Sequence, residues 1–153
     1  MLKRSLLYAA VPAVALVALA LLAAPGSAQT LSVHVVQVRA SNEGNFVDPT
    51  LLGLGDRIKK QFPYRSYRRV GSDSQAGDVG GTLQFALAGD ASLTIDLASF
   101  DDAKLTMHVA VNRGNDHVVD GNFKVKLGHT VLIGVPSGRD GKLILAITPT
   151  AAK

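Results

Sequence analysis

The stretch Phe123–Pro149, with the sequence FKVKLGHTVLIGVPSGRDGKLILAITP, decides the fold of this chain. It contains two uninterrupted apolar runs, Val131–Ile133 and Leu143–Ile147, on either side of a polar turn rich in glycine. Apolar runs without alternation are typical of strands that are buried on both faces. The sequence therefore predicts a pair of strands, Thr130–Val135 and Lys142–Thr148, at the thickest part of the hydrophobic core.

Six segments before this pair have the composition or the alternation of β-strands. They are Leu31–Ala40, Tyr64–Val70, Thr82–Ala88, Ser92–Leu97, Leu105–Val111 and His117–Leu127. The first has apolar residues on both faces and predicts a central strand, whereas each of the last four has one apolar face. Gly121 predicts a bulge or break in the last segment, and Gly71–Gly81 predicts a flexible connection.

One helix is predicted at about residues 49–62. Asp48 is a typical helix cap, Pro49 suits the first helical position, and Pro63 ends the pattern. Two glycines inside this segment weaken it, so we expect the helix to depend on packing against the sheet. The predicted packing face consists of Leu51, Leu54, Ile58 and Phe62.

This order of elements predicts a mainly β domain of the α+β class. We expect an antiparallel sandwich or a half-open barrel of about eight strands, with the helix at about 49–62 packed on the sheet.

Residues 1–28 have the pattern of a secretory signal peptide, with a basic start, the apolar run Leu6–Ala24 and small residues before Gln29. Cleavage before Gln29 would leave residues 29–153 as one exported, β-rich domain in the periplasm or outside the cell. The alternative is that the 19-residue apolar run stays uncleaved as an N-terminal membrane anchor, and we expect contact with a membrane only through residues 6–24 in that uncleaved form.

Composition excludes several classes of protein. The chain has no cysteine, which rules out a disulfide framework and a lipid-modified N-terminal cysteine. Removal of Lys3 and Arg4 with the signal peptide lowers the formal net charge from +4 to +2. Such a small excess does not indicate nucleic-acid binding.

The densest charge in the chain lies across the end of the predicted helix and the strand after it. Cations clustered in this way, with tyrosines between them, predict a surface for an anionic partner such as an acidic polysaccharide, lipid headgroups or an acidic protein. The alternative interpretation is a solvated face, or edge-strand charge that prevents aggregation. The candidate binding residues are Arg57, Lys59, Lys60, Tyr64, Arg65, Tyr67, Arg68 and Arg69.

No catalytic or metal-binding motif is present. The histidines, which are His34, His108, His117 and His129, lack the paired spacing of zinc ligands. The aspartates of the predicted turns are explained by turn chemistry, and the serines lack the GxSxG spacing of a nucleophile elbow. We therefore expect a protein that is not an enzyme and that has no metal and no cofactor.

The C-terminal stretch resembles a known family. Gly128–Gly134 reads GHTVLIG and, after a polar insertion, Lys142–Pro149 reads KLILAITP. Together they resemble the C-terminal hairpin in the core domain of bacterial secretins, where a Gly-x-Thr-Val-hydrophobic-hydrophobic-Gly segment precedes a final strand ending in Thr-Pro. The resemblance covers residues 128–149 and implies an antiparallel hairpin in an envelope protein.

This chain also differs from secretins. It is shorter than a pore-forming subunit, lacks recognisable N-terminal ring domains, and has only SGRDG where a gate-bearing insertion would lie. The resemblance therefore implies a remnant or accessory of a secretion-type assembly. We expect a structural or interaction protein of the envelope that contacts a protein partner, or alternatively an anion-binding module that uses the basic segment 57–69.

Overall fold

A computed structural model describes residues 29–136 and 141–152. The predicted signal peptide, residues 1–28, lies outside the described residues. Eight strands are present in this part of the chain: β1 (Thr30–Ser41), β2 (Ser66–Asp78), β3 (Thr82–Leu87), β4 (Ala91–Asp101), β5 (Lys104–Arg113), β6 (Asp116–Lys126), β7 (Val131–Pro136) and β8 (Gly141–Ala151). A 3₁₀ turn (Pro49–Leu51) and helix α1 (Leu52–Gln61) lie between β1 and β2.

The strands form two antiparallel sheets of four strands each. The first sheet has the order β2-β1-β8-β7, and the second has the order β3-β4-β5-β6. The prediction of a mainly β, α+β sandwich is confirmed, and the half-open barrel is not formed because the two sheets stay separate. β1 is a central strand, as its two apolar faces predicted.

The main core lies between the two sheets and is formed by strands in which apolar and polar residues alternate. Leu31, Val33 and Val35 of β1 face the second sheet, where every other residue of β4 and β5 is buried. Because successive side chains of a strand point to opposite faces, one apolar residue in two is enough to fill the space between the sheets.

β8 is buried on both faces, as its continuous apolar run predicted. Leu143, Leu145 and Ile147 belong to the main core, whereas Ile144 belongs to a second cluster on the outer face of the first sheet. β7 pairs with β8 in antiparallel register, which confirms the predicted pair of strands.

The second cluster forms where α1 packs on the outer face of the first sheet. Ile58 and Leu51 are buried against β1, β2 and β8, and the predicted packing face of the helix is therefore confirmed. Burial of each such side chain contributes roughly 1.5–3 kcal/mol, which offsets the roughly 1 kcal/mol that each of the two helix glycines costs. α1 is thus held by tertiary contacts.

The ends of the helix follow the sequence with one difference. Asp48 accepts hydrogen bonds at Oδ1 from the Thr50 N–H at 2.9 Å and the Thr50 hydroxyl at 2.7 Å. The first turn is nevertheless 3₁₀, because Leu51 N–H bonds to the Asp48 carbonyl three residues earlier. At the other end, Phe62 N–H still bonds to Ile58 O before Pro63 ends the helix.

The flexible connection predicted for Gly71–Gly81 is wrong, because β2 continues to Asp78 and pairs with β1 along its whole length. The glycines there make room for neighbouring side chains. A Cβ on Gly77 would lie 2.9 Å from Leu83 Cδ2, and a Cβ on Gly71 would lie 3.3 Å from Gln37 Nε2. Gly77 thus packs against β3 of the second sheet and Gly71 against Gln37 of the neighbouring strand β1, so both glycines reflect close packing and not flexibility.

The bulge predicted at Gly121 is also misplaced. Gly121 pairs in register with Val109, and the register shift in β6 leaves Val118 without a partner. The Phe123 ring lies against Gly121, where a Cβ would be 3.4 Å from Phe123 Cε2. The glycine therefore accommodates a neighbouring ring in a regular ladder.

Candidate functional site

Tyr67, one of the predicted binding residues, belongs to the core. Its side chain is 0% exposed beneath α1, and its hydroxyl donates to Phe62 O and accepts from Tyr64 N–H at 2.7 Å. The prediction of Tyr67 as a binding residue is therefore wrong, because the side chain is not accessible. The phenol instead closes the loop between α1 and β2, and Tyr64 is half-buried beside the same cluster.

Three of the predicted binding cations lie on α1, and one of them contacts the residue before β7. Arg57 Nη2 donates to Thr130 O at 3.1 Å, while Lys59 and Lys60 are exposed in the last helical turn. Arg57, Lys60 and Gln61 line an open depression of about 290 Å³. These cations and the arginines at the start of β2 belong to different elements, with residues 62–64 between them in the chain.

The three arginines of the segment that follows α1 lie around the start of β2. Arg65 Nε donates to Asn45 Oδ1 at 3.3 Å, and Arg69 Nη2 donates to Ser72 Oγ at 2.8 Å. The Arg68 guanidinium carbon lies 4.6 Å from the centre of the Phe46 ring, which is a cation–π geometry. The structure thus divides the predicted segment into a helix group and an arginine group.

The short segment Phe46–Asp48 covers the free edge of β2 next to these arginines. Tyr67 N–H bonds to Phe46 O at 2.7 Å, and Asp48 N–H bonds to Tyr67 O at 2.9 Å, so that Val47 forms a parallel bridge with Tyr67. Asp48 Oδ2 accepts from Arg69 N–H at 3.2 Å. These bonds fix Phe46 and Val47 against the arginine group.

Exposed apolar residues are concentrated at the same place. Among the described residues, the exposed large hydrophobic side chains are Phe46 (42%), Val47 (38%) and Val70 (37%). Val70 has no partner on β1, because Arg69 pairs with Val38 and Gly71 with Gln37. A bulge of this kind redirects a side chain at a sheet edge, which explains why a valine is exposed here.

We call this surface the arginine–apolar patch. It is defined by Phe46, Val47, Arg65, Arg68, Arg69 and Val70. It combines three cations with three exposed apolar side chains around one edge of the first sheet.

The arginines of the patch have no carboxylate partner among residues 29–136 and 141–152. Within those residues the structure has one contact of ion-pair geometry, between His108 Nε2 and Asp120 Oδ1 at 2.9 Å in the second sheet. Arg39 of β1 is directly opposite Arg68 and is also exposed. Like charges directly opposite each other repel, so an anion between them would relieve the repulsion.

Asp48 is the acidic group nearest to the patch, and it is already engaged. Hydrogen bonds from the Thr50 hydroxyl and then from the Thr50 N–H lower the pKa of Asp48 below its usual value, helped by the Arg69 N–H and the charge of Arg69. The carboxylate therefore stays charged while it holds the segment in place.

Histidines form further polar clusters among residues 29–136 and 141–152. His34 Nδ1 lies 2.6 Å from Ser74 Oγ on the exposed face of the first sheet, and no described carboxylate pairs with His34. His108 also lies 2.9 Å from Asn122 Oδ1. Within the described residues, no three His, Asp or Glu side chains converge as a metal site would require.

Sequence reasoning missed Phe46, Val47, Val70 and Arg39. The first two lie between the predicted first strand and the predicted helix, in neither element, and their proximity to Arg68 depends on the bridge to Tyr67. The sequence offered no clear signal for them, because single apolar residues are common on surfaces and an apolar residue directly before a helix cap often packs on the first helical turn.

Comparison with known proteins gave no match, either to a described family, to a curated protein or to a solved structure. Fold and site together define the chain as a small antiparallel β-sandwich with a cationic and apolar patch at one sheet edge. In the parts of the chain that the structure describes, no helix is long and apolar enough to span a membrane.

Proposed function

We propose that this chain is a non-catalytic, exported interaction protein of the cell envelope that binds an anionic partner through the arginine–apolar patch. One observation carries the proposal, namely that Arg65, Arg68 and Arg69 lie without described carboxylate partners beside the exposed Phe46, Val47 and Val70. Cations without a described carboxylate partner, next to aromatic and aliphatic surface, are typical of binding sites.

Export is supported by the sequence alone. The signal-peptide pattern of residues 1–28 predicts release into the periplasm or the medium, with cleavage before Gln29. The alternative remains an uncleaved anchor at Leu6–Ala24. Mass determination of the mature N-terminus distinguishes the two, because cleavage removes the first 28 residues.

A role as an accessory of a secretion-type assembly rests on the resemblance of residues 128–149 to the secretin hairpin. The antiparallel β7–β8 pair is the topology that this resemblance implies. β8 lies between β1 and β7 and is buried on both faces, so an assembly partner would contact other residues of this chain. The patch is the surface that offers such a contact.

The first prediction tests the patch by charge removal. The triple variant Arg65→Gln, Arg68→Gln, Arg69→Gln is expected to lose salt-resistant retention on a heparin matrix, because the contacts that hold the anion are removed. The matched control is Lys104→Gln, Lys124→Gln, Lys126→Gln, three exposed lysines of the second sheet. Both variants lose three charges, so a nonspecific effect would be equal in the two.

The expected result is elution at clearly lower salt for the arginine variant alone. Equal shifts in the two variants would show that retention follows net charge and would remove the patch from the proposal. Near-identical circular dichroism spectra and unfolding temperatures establish that each variant is folded.

A further inference from the structure

We infer that the anionic partner of the arginine–apolar patch is the surface of an anionic phospholipid bilayer, into which Phe46, Val47 and Val70 insert while the arginines bind lipid phosphates. This inference rests on the proposed function and names its partner. It depends on the combination of charges and apolar side chains at one edge of the fold.

The charges of the patch fit a lipid headgroup layer. Arg65, Arg68 and Arg69, together with Arg39 opposite Arg68, present planar guanidinium groups that bind phosphate oxygens in pairs. No described carboxylate within 4.0 Å competes for them. An anionic bilayer attracts each such cation near its surface, and the attraction weakens as salt increases.

The apolar residues distinguish a bilayer from the other anionic partners. An acidic polysaccharide or a hydrated acidic peptide would neutralise the arginines but would leave the aliphatic Val47 and Val70 in contact with water. The acyl region beneath the headgroups removes these side chains from water, and the apolar area buried adds to the electrostatic attraction. Compared with a polysaccharide or a hydrated peptide, the bilayer uses all six residues of the patch.

The position of the patch within the sandwich permits this contact. Phe46 lies with Arg68, and Val47 bridges Tyr67 on the neighbouring position of β2, so that the patch surrounds the outer edge of the first sheet. An edge that carries apolar side chains on both sides can enter the headgroup layer without exposing the core. The cap formed by Phe46–Asp48 also pairs with backbone groups of Tyr67 that would otherwise be unpaired there.

The arginine–apolar patch lies far along β1 from Gln29, the predicted first residue of the mature protein. The patch lies at the Ser41 end of β1, and Gln29 precedes the other end of this 12-residue strand, about 36 Å away. The patch and Gln29 therefore lie at opposite ends of β1, and a bilayer contact through the patch does not involve the residues next to Gln29.

The experiment uses the protein from Gln29 onward, because both sheets and both hydrophobic clusters lie within that part. The chain has no tryptophan, so Phe46→Trp introduces a single reporter. On vesicles of equal parts phosphatidylglycerol and phosphatidylcholine, its fluorescence is expected to shift to shorter wavelength. Pure phosphatidylcholine vesicles are expected to cause no shift.

Two controls locate the insertion. Asn115→Trp places the reporter in the exposed β5–β6 turn, where no shift is expected. The double variant Phe46→Ser, Val47→Ser is expected to bind the anionic vesicles at least about tenfold more weakly in a flotation assay, while it keeps its retention on heparin. Val118→Ser, at the bulge of β6, removes a half-buried valine outside the patch and should bind as the unchanged protein does.

The outcomes separate this inference from the proposed function. If heparin retention depends on the three arginines but no tryptophan shift occurs on anionic vesicles, the bilayer is the wrong partner and an acidic polysaccharide or protein takes its place. Vesicle binding without a shift would mean adsorption by charge alone and would likewise overturn insertion. Loss of the arginine dependence on heparin would overturn the proposed function itself.

Discussion

Tyr67 and Arg68 are neighbours in the chain and lie in opposite environments. Tyr67 is fully buried under α1, whereas Arg68 on the other face of β2 is exposed beside Phe46. Strand alternation predicts that the two differ, but the sequence does not say which face α1 covers. The flanking arginines indicated a solvated strand, and only the packing of α1 reverses that interpretation for Tyr67.

Gln37 is a second residue whose role required the structure. It is 7% exposed, and its amide donates to Ala86 O at 3.2 Å and accepts from Ala88 N–H at 2.9 Å. These bonds join β1 to the β3–β4 hairpin of the opposite sheet. A buried amide is stable only when its polar atoms are paired in this way.

Asp48 is expected to make the stability of the folded protein depend on pH in the acid range. Its pKa is lowered in the folded protein, mainly by the hydrogen bond from the Thr50 hydroxyl. The carboxylate therefore adds stability above its unfolded pKa of about 3.9, and this stability is lost as the pH falls through the lower folded pKa. Asp48→Asn is expected to remove this acid-dependent part of the free energy of unfolding.

The measurement is urea unfolding of both proteins from neutral pH to acid. The difference in the free energy of unfolding should be constant near neutral pH and shrink below about pH 4. Thr50→Val should flatten the acid profile in the same sense, because it removes the largest cause of the lowered pKa. Parallel profiles for the unchanged protein and Asp48→Asn would contradict this role of Asp48.

At the scale of the element, the regular strands were predictable and the edge strand was not. β3, β4, β5 and β8 have apolar residues at every second position or in one run, and hydrophobic pattern determines them. From Gly71 to Asp78, β2 has no such pattern, because its pairing with β1 and close contact with β3 select small and polar residues. An edge strand without an apolar pattern cannot be predicted from its own sequence, because only its pairing with a neighbouring strand identifies it.

Replacement of a glycine by alanine is expected to change the free energy of unfolding in opposite directions in α1 and in β8. Gly53 in α1 is exposed, and a Cβ added there would have no neighbouring atom within 4 Å, so Gly53→Ala is expected to stabilise the protein by about 0.5–1 kcal/mol. At the start of β8, a Cβ on Gly141 would collide with the backbone oxygen of Ala40 in the central strand β1. Gly141→Ala should therefore destabilise the protein, by about 1–3 kcal/mol.

Equilibrium urea unfolding of the two variants checks both signs. Gly141→Ala forces either β8 or β1 to move at a backbone contact, whereas Gly53→Ala restricts only the unfolded chain. If Gly141→Ala left the free energy of unfolding unchanged, the register of β8 against β1 would be wrong at this end.

At the scale of the whole molecule, strand count and class followed from the sequence, but strand order did not. The four consecutive strands β3 to β6, which short turns connect, form one sheet in sequence order. The first sheet joins β1 to β8, two strands from opposite ends of the described chain, with Val35 paired to Ile147. Apolar periodicity identifies the buried face of each strand and contains no information on which strand lies beside it.

The same limit explains what could be predicted of the site. Charge clustering between Arg57 and Arg69 indicated a basic surface, and the structure places all six of its cations on or beside the first sheet. The apolar half of the patch comes from the segment before α1 and from a bulge, and both depend on pairing along β2. The sequence therefore shows the cationic residues of the patch, whereas its apolar residues are brought beside them only by strand pairing in the folded protein.

The central claim is that anionic ligands bind at the edge formed by Phe46–Asp48 and Arg65–Val70, and amide chemical-shift mapping tests it most directly. Titration of the ¹⁵N-labelled protein with a heparin oligosaccharide should shift the amides of these two segments. The amides around Lys104, Lys124 and Lys126 on the second sheet serve as the internal comparison. Shifts confined to the two segments are the predicted result, and shifts centred on the lysines of the second sheet would contradict the account.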